Sequence, residues 1–277
     1  MIKYFNVLRP KTLIASISPV MIAYSLSKIE AIDHRQGYVF LCLVVGLLIQ
    51  MSTNIFNDIY DSKTGVDEDR IGPARYTGNK IKESTLFRYA FLLIILSIMA
   101  GLPLIPLHWL YLPVGLISIY CSYGYTGGVY PIAYNGLGEF FAYLFFGWVA
   151  FIGTFYAISE SITTNSLIFS HSIGMLSVIL IYANNYRDKE NDKRFKKNTI
   201  AVKFPDNAKN IFYLFIILSL IGKVFISFNF TYQLLVSIIP ELALIFFLKR
   251  NKNGRFIFKI AIINYVYSTI VFLGFLA

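Results

Sequence analysis

The chain has 277 residues, of which 56% are hydrophobic and only 14% are charged, and its mean hydropathy is +0.61. A soluble domain carries about 45–50% apolar and about 25% charged residues, so this composition argues against a water-soluble protein. It also excludes intrinsic disorder, which needs low hydrophobicity and high net charge. The sequence therefore predicts an integral membrane protein.

Nine apolar segments are long enough to cross a bilayer as helices, since about 20 apolar residues span roughly 30 Å of hydrocarbon. They are 12–30, 37–56, 86–104, 107–124, 138–158, 166–186, 209–228, 231–248 and 257–277. We predict helices rather than a β-barrel because the segments lack alternating polarity. Pro103 and Pro106 separate the third and fourth segments. The first segment resembles a signal peptide, but eight further spans follow, so we interpret it as a retained helix.

The distribution of Lys and Arg predicts the orientation of these spans. If the N-terminus and each loop after an even-numbered span are cytoplasmic, 22 of the 25 basic residues lie on that side. This asymmetry follows the positive-inside rule. The formal charge of +10 is thus mostly a topology signal, and nucleic-acid binding is disfavoured because no compact basic domain is present. We expect one transmembrane domain over residues 1–277 in the cell (inner) membrane, with cytoplasmic loops at 57–85 and 187–208.

Acidic residues are concentrated in two of the predicted cytoplasmic loops, which hold ten of the fifteen. The two clusters begin alike, because Asn57 stands four residues before Asp61, as Asn184 does before Asp188. This weak internal repeat predicts two equivalent helix ends that face one cavity. Residues four apart share a helix face, so Asp192 is expected to point in the same direction as Asp188.

Two converging carboxylate clusters repel each other unless cations lie between them. Mg²⁺ fits this role, because it takes one or two carboxylates and completes its shell with water and phosphate oxygens. Basic residues near both clusters could bind the remaining charge of a diphosphate. These residues are Lys63, Arg70, Arg75, Arg187 and Lys189. Two alternatives stay open, namely ordinary solvated loops with capping Asn and Asp side chains, and a cation-coupled transporter.

Motifs between Arg9 and Phe204 carry a family resemblance. They are Arg9-Pro10-Lys11-Thr12-Leu13, a first aspartate-rich motif with Asn57, Asp58, Asp61 and Asp67, then Asp69-Arg70-Ile71-Gly72-Pro73 with Arg75, Tyr125-Thr126-Gly127-Gly128, Gly136-Leu137-Gly138-Glu139, and a second motif with Asn184, Asn185, Arg187, Asp188, Asp192 and Lys197. Together they resemble the UbiA superfamily of intramembrane prenyltransferases, and within it the branch that prenylates 1,4-dihydroxy-2-naphthoate. In that branch, too, the last Asp of the first motif comes six residues after its neighbour, as Asp67 does here.

The resemblance implies an all-helical bundle around a central cavity, with a polyprenyl group transferred from its diphosphate to 1,4-dihydroxy-2-naphthoate in menaquinone biosynthesis. The alternative acceptors are 4-hydroxybenzoate and homogentisate. The implied Mg²⁺ ligands are Asn57, Asp58, Asp61, Asp67, Asp188 and Asp192. The implied diphosphate-binding residues are Asn57, Lys63, Arg70, Arg75, Asn184, Asn185, Arg187 and Lys189.

Two further side chains are candidate catalytic residues. Tyr125 could stabilise an allylic cation through its ring, although with 20 Tyr and 25 Phe in the chain each aromatic is more often a packing residue. Glu139, where many relatives carry Asp, could orient or deprotonate the acceptor, or only complement a helix dipole. Glu241 falls inside the eighth segment and receives no role. The expected partners are the two substrates and the bilayer, with no nucleic acid and no obligatory protein partner.

Overall fold

The computed structural model describes residues 7–65, 81–250 and 253–276, and no β-strand forms among them. In chain order the helices are α1 (Ile14–Ile29), α2 (Gly37–Lys63), α3 (Glu83–Gly101), α4 (Tyr111–Gly124), α5 (Gly138–Ser159), α6 (Thr164–Arg194), α7 (Ala208–Asn229), α8 (Ile239–Lys249) and α9 (Gly254–Leu276). A one-turn helix, Ile200–Lys203, lies between α6 and α7. The predicted all-α fold is confirmed.

Seven helical segments among the described residues are long and apolar enough to cross a membrane. They include Glu83–Leu107 and Tyr232–Lys249, in which a 3₁₀ turn lengthens an α-helix. Helix α1 has 16 residues and α4 has 14, which give only about 24 and 21 Å at 1.5 Å per residue. The chain is therefore a multi-pass membrane protein, and the predicted number of nine spans is not confirmed.

Two prolines set the boundary between α3 and α4. Pro103 and Pro106 lie in the 3₁₀ turn Leu102–Leu107. Proline has no N–H to donate, so an α-helix does not continue through them. The predicted separation into two helices is present, but α4 begins at Tyr111 rather than at residue 107.

The acid-rich motifs are helical where loops were predicted. Helix α2 continues to Lys63 and α6 to Arg194, about two turns beyond the predicted ends of these spans. The prediction of loops over the first residues of 57–85 and 187–208 was therefore wrong. The apolar pattern shows only where the hydrophobic side chains end. The backbone hydrogen bonds of α2 continue beyond that point and stop at Gly65, whose φ of 77° is left-handed and does not continue an α-helix.

Helix α6 forms the centre of the bundle. It contacts α1, α5, α7 and α9, and most of its side chains are buried. Its contact with α5 is very close because two glycines face each other there. A Cβ on Gly147 would lie 2.6 Å from the Ser170 carbonyl oxygen, and one on Gly174 would lie 2.7 Å from the Tyr143 ring. The middle of α5, Tyr143–Ile152, is wound as a π-helix.

Gly147→Ala is expected to lower the stability by about 1–3 kcal/mol, because the added methyl group meets backbone atoms that cannot rotate away. Gly153→Ala is the matched control on the same helix, since a Cβ there has no atom within 4 Å. That control should be neutral or slightly stabilising. Thermal unfolding of the two purified variants in detergent measures the difference, and equal melting temperatures would contradict the close helix contact.

A buried ion pair joins α7, α8 and α9. The Lys223 ammonium lies 2.8 Å from Glu241 Oε1, and both side chains are fully buried. Lys223 also donates hydrogen bonds of 2.8 Å to the Ser237 carbonyl and to the Ser268 hydroxyl. The Ser219 hydroxyl donates a 2.6 Å bond to Glu241. Glu241, which the sequence left without a role, is thus part of a polar network inside the bundle.

Candidate active site

A cavity of about 1340 Å³ is lined by residues of α1 to α6 and α9. Its lining along α2 runs from Cys42 to Asp61, which is about 28 Å of helix and close to the roughly 30 Å thickness of a bilayer core. Most of the wall is apolar. Among the described residues, its Asp, Glu, Lys and Arg side chains are Arg9, Asp61 and Lys197, all at the end where α2 and α6 finish. The volume exceeds the roughly 300–1,000 Å³ of most small-molecule sites.

The last turns of α2 place polar side chains on the cavity, because the apolar side chains of these turns pack against α3. Ile55, Phe56 and Ile59 are buried in a cluster against α3. Residues three and four apart share a helix face, so Asn57 and Asp61 lie together on another face and line the cavity.

Each of these two side chains is held by a hydrogen bond from the segment that follows α4. Asn57 Oδ1 accepts a 2.8 Å bond from the Thr126 hydroxyl. Asp61 Oδ1 accepts a 2.9 Å bond from the Tyr134 hydroxyl and also lies 3.5 Å from the Lys197 ammonium. The Asp61 carboxylate is only 2% exposed, so these partners offset much of the cost of its burial.

Seven of the predicted residues that the structure describes lie outside the cavity lining, namely Asp58, Lys63, Glu139, Arg187, Asp188, Lys189 and Asp192. Asp58 is turned away and lies 3.6 Å from the Arg9 guanidinium. Lys63 forms a 2.6 Å ion pair with Glu83, outside the lining. Lys189 also lies outside the lining and is partly exposed. The structure therefore does not bring Lys63 or Lys189 to the cavity where a diphosphate would bind.

The second motif lies on the last turns of α6. Asn184 and Asn185 line the cavity, whereas Asp188 and Asp192 are buried one and two turns further on. The Arg187 guanidinium donates two hydrogen bonds to the Asp188 carboxylate, of 2.7 and 2.5 Å, and a third of 2.8 Å to Asn184 Oδ1. Arg187 thus cross-links the polar side chains of this motif.

The segment after α6 joins the two motifs at one end of the cavity. The Lys197 amide donates a 2.8 Å hydrogen bond to the Asp192 carbonyl, while its ammonium reaches Asp61. The backbone N–H of Asn198 donates a 3.1 Å hydrogen bond to the Tyr134 carbonyl. The ends of α2 and α6 therefore face the same space. Asp67, Arg70 and Arg75 lie outside the described residues.

Glu139 and Tyr125 lie beside this polar end. Glu139 is 2% exposed, and its Oε1 accepts a 2.8 Å hydrogen bond from the Asn185 amide. Its Oε2 is buried without a hydrogen-bond partner among the described residues. Tyr125 lines the cavity. Burial, reinforced by the negative charges of Glu139 and Asp61, raises the pKa of the Tyr125 hydroxyl above its ordinary value, so the group stays protonated at neutral pH.

Sequence reasoning gave no role to four residues of this site. Arg9, Thr126 and Lys197 stand inside the motifs that carry the family resemblance, which was the available signal. Tyr134 lies between two of those motifs, and only the folded chain shows that it reaches Asp61.

The oxygen donors at this end suit Mg²⁺ bound together with a diphosphate. Among the described residues, no three acidic, His or Cys side chains lie close enough to form a metal site by themselves. Asn57, Asp61 and Asn184 nevertheless line the cavity and carry amide and carboxylate oxygens. Mg²⁺ needs only one or two carboxylates, because water and substrate phosphate oxygens complete its shell.

Comparisons with known proteins agree with this arrangement. Residues 16–263 match the sequence model of the UbiA prenyltransferase family. Relatives named 1,4-dihydroxy-2-naphthoate octaprenyltransferase include one from Mycobacterium tuberculosis, 34% identical over 74% of this chain and 70% of its own length. The one from Haemophilus influenzae is 28% identical over 87% and 83%, and the one from Escherichia coli is 30% identical over 73% and 68%.

Two solved structures share the fold. A UbiA homologue from Archaeoglobus fulgidus bound to GPP and Mg²⁺ superposes with a TM-score of 0.72 over 99% of both chains, at 16% identity. A digeranylgeranylglyceryl phosphate synthase superposes with a TM-score of 0.68 over 99% of this chain and 96% of that one, at 19% identity. At such low identity these structures support the fold alone.

Proposed function

Since the chain belongs to the UbiA prenyltransferase family, we propose that it transfers a polyprenyl group from polyprenyl diphosphate to 1,4-dihydroxy-2-naphthoate. The product is demethylmenaquinone, and the reaction belongs to menaquinone biosynthesis. The relatives from M. tuberculosis, H. influenzae and E. coli carry this acceptor in their names. The main structural support is the cavity, which has a long apolar wall for a prenyl tail and a polar end for a diphosphate.

Asn57, Asp61 and Asn184 would hold Mg²⁺ at the polar end of the cavity, since these three residues line it. When bound, Mg²⁺ acts as a Lewis acid and a template, offsetting the negative charge that grows on the departing diphosphate. The resemblance of the two motifs assigns Asp67, Asp188 and Asp192 to the same centre. The resemblance also assigns Asp58, which, like Asp188, lies outside the cavity lining and is paired with an arginine, in this case Arg9.

Positive side chains add to this electrostatic stabilisation. The Arg187 guanidinium lies outside the cavity lining but is fixed by Asp188 and by Asn184, which lines the cavity, and it is proposed to act on the diphosphate from this neighbouring position. Arg70 and Arg75 are proposed for the same role through the family resemblance. The carbon–oxygen bond of the prenyl diphosphate breaks with its electron pair on the diphosphate, and the electron-rich ring attacks the allylic cation. The ring then loses its carboxylate as CO₂, which gives the reduced, dihydroxy form of demethylmenaquinone.

Tyr125 and Glu139 are proposed to act on the allylic cation and the acceptor. Tyr125 lines the cavity and stays protonated, so it can offer its ring to the cation and its hydroxyl to an acceptor oxygen. Glu139 has one oxygen anchored by Asn185 and a second that lacks a partner among the described residues. That second oxygen is suited to accept a proton or a hydrogen bond.

The proposed orientation places the polar end at the cytoplasmic face of the cell (inner) membrane. The basic residues support it, because 22 of the 25 then lie on the cytoplasmic side. We treat residues 1–277 as a single transmembrane domain with a cytoplasmic N-terminus.

The proposed function predicts a metal-dependent product. Membranes that contain the protein, given farnesyl or longer diphosphate, Mg²⁺ and 1,4-dihydroxy-2-naphthoate, should form a prenylated naphthoquinone detectable by mass spectrometry. Excess EDTA should reduce the product to background, and added Mg²⁺ should restore it. No covalent product with any acceptor would overturn the function. A product from 4-hydroxybenzoate or homogentisate but not from the naphthoate would overturn the acceptor alone.

A further inference from the structure

Lys197 lies where a metal-bound diphosphate would have to approach Asp61. Its ammonium is 3.5 Å from Asp61 Oδ1, and its side chain is only 12% exposed. It also lies 5.2 Å from the centre of the Tyr134 ring. Lys197 lines the cavity itself, and it is the residue of the second motif that lies in the segment after α6.

We propose that Lys197 is a resident counter-cation, which neutralises Asp61 before substrate binds and then moves its ammonium to the diphosphate. Mg²⁺ would take over Asp61 as Lys197 leaves it. The inference rests on the proposed function and adds a diphosphate-binding residue to that site.

The need for such a cation follows from the burial of Asp61. A buried carboxylate without a positive partner is costly, and the two acid-bearing helix ends would repel each other across the cavity. Asp188 meets this need through two short hydrogen bonds from Arg187, of 2.7 and 2.5 Å. The contact between Lys197 and Asp61 is longer than the 2.7–3.2 Å of a good N–H···O bond. The contact of Lys197 with Asp61 is therefore easier to exchange than the contact of Arg187 with Asp188.

The anchoring of Lys197 allows its ammonium to move while its backbone stays in place. Its amide is hydrogen-bonded to the Asp192 carbonyl. Its ammonium lies over the ring of Tyr134, whose hydroxyl is fixed between Asp61 and the Thr64 hydroxyl, at 2.9 and 2.8 Å. A lysine ammonium is a compact charge on a flexible stem and serves as a point charge for phosphate. Lys203 differs, because it is exposed and donates a 2.6 Å bond to the Asn135 carbonyl.

Lys197→Met is expected to change two affinities in opposite directions. Without the competing ammonium, Mg²⁺ alone should bind at least about threefold more tightly. Inorganic pyrophosphate in the presence of Mg²⁺ should bind roughly tenfold or more weakly, because a charge-assisted contact is lost. Isothermal titration on the full chain purified in detergent measures both. Lys197→Arg, which keeps the charge, should retain most of the pyrophosphate affinity.

Lys193→Met is the matched control, because it removes the same charge from an exposed position on the last turn of α6. It should leave both affinities unchanged. If Lys197→Met does not fold, Lys197→Gln repeats the test with a side chain of similar length. Either uncharged variant binding pyrophosphate as the wild type does would overturn the role of Lys197. A wild-type protein that binds no Mg²⁺–pyrophosphate and forms no product would instead overturn the proposed function.

Discussion

Asp61→Asn is expected to lower prenyl transfer about 100-fold or more, because it removes a negative ligand from the centre that neutralises the leaving group. Asn has the same shape and can still accept the Tyr134 hydrogen bond, so the fold should persist. The measurement is the initial rate of product formation in membranes at saturating Mg²⁺, together with the melting temperature of the purified variant.

Asp206→Asn is the control for this loss of charge, because Asp206 is exposed and lies outside the cavity lining. It should keep the wild-type rate. Asp188→Asn should also reduce activity, but it breaks the contact with Arg187 and can act through folding. Full turnover by a stably folded Asp61→Asn protein would refute the assignment of this residue to the metal–diphosphate centre.

Lys223→Met is expected to destabilise the protein by about 3–5 kcal/mol, since it leaves the Glu241 carboxylate buried without its cation. Replacing both charges, as Lys223→Met with Glu241→Leu, should recover most of that loss, because a buried ion pair exchanged for apolar residues is often neutral or stabilising. Unfolding of the single and double variants in detergent micelles gives both values. A double variant no more stable than either single one would contradict a direct coupling between the two charges.

Much of the fold could be predicted from the sequence, because apolar length places a helix in a bilayer largely without tertiary information. The ends of α2 and α6 could not be predicted in this way, because both helices continue through polar residues beyond their apolar part. This error also misplaced two site residues. Lys63 and Lys189 stand two and one positions after an acidic residue, and such neighbours do not face each other on a helix. Counted as loop residues, they were expected at the cavity, and the structure places them outside its lining.

The site residues that belong to the repeated Asn-to-Asp spacing could be predicted from the sequence. The contacts that come from segments distant in the sequence could not. Asn57 and Asp61 have the same spacing as Asn184 and Asp188. Three of these four residues line the cavity, whereas Asp188 lies outside its lining. Tyr134 and Thr126 reach the first motif from a segment about 70 residues away, as their sequence separations of 73 and 69 from their partners show. No local pattern specifies such a contact.

The cavity that follows α2 from Cys42 to Asp61 has a consequence for selectivity. A long isoprenoid arrives from lipid rather than from water, so its transfer into an apolar channel replaces one hydrocarbon neighbour by another and yields little free energy. Affinity must then come mostly from the charged head group, at the end of the cavity that Arg9 and Lys197 line. We therefore expect the enzyme to discriminate weakly between donors that differ only in the number of isoprene units.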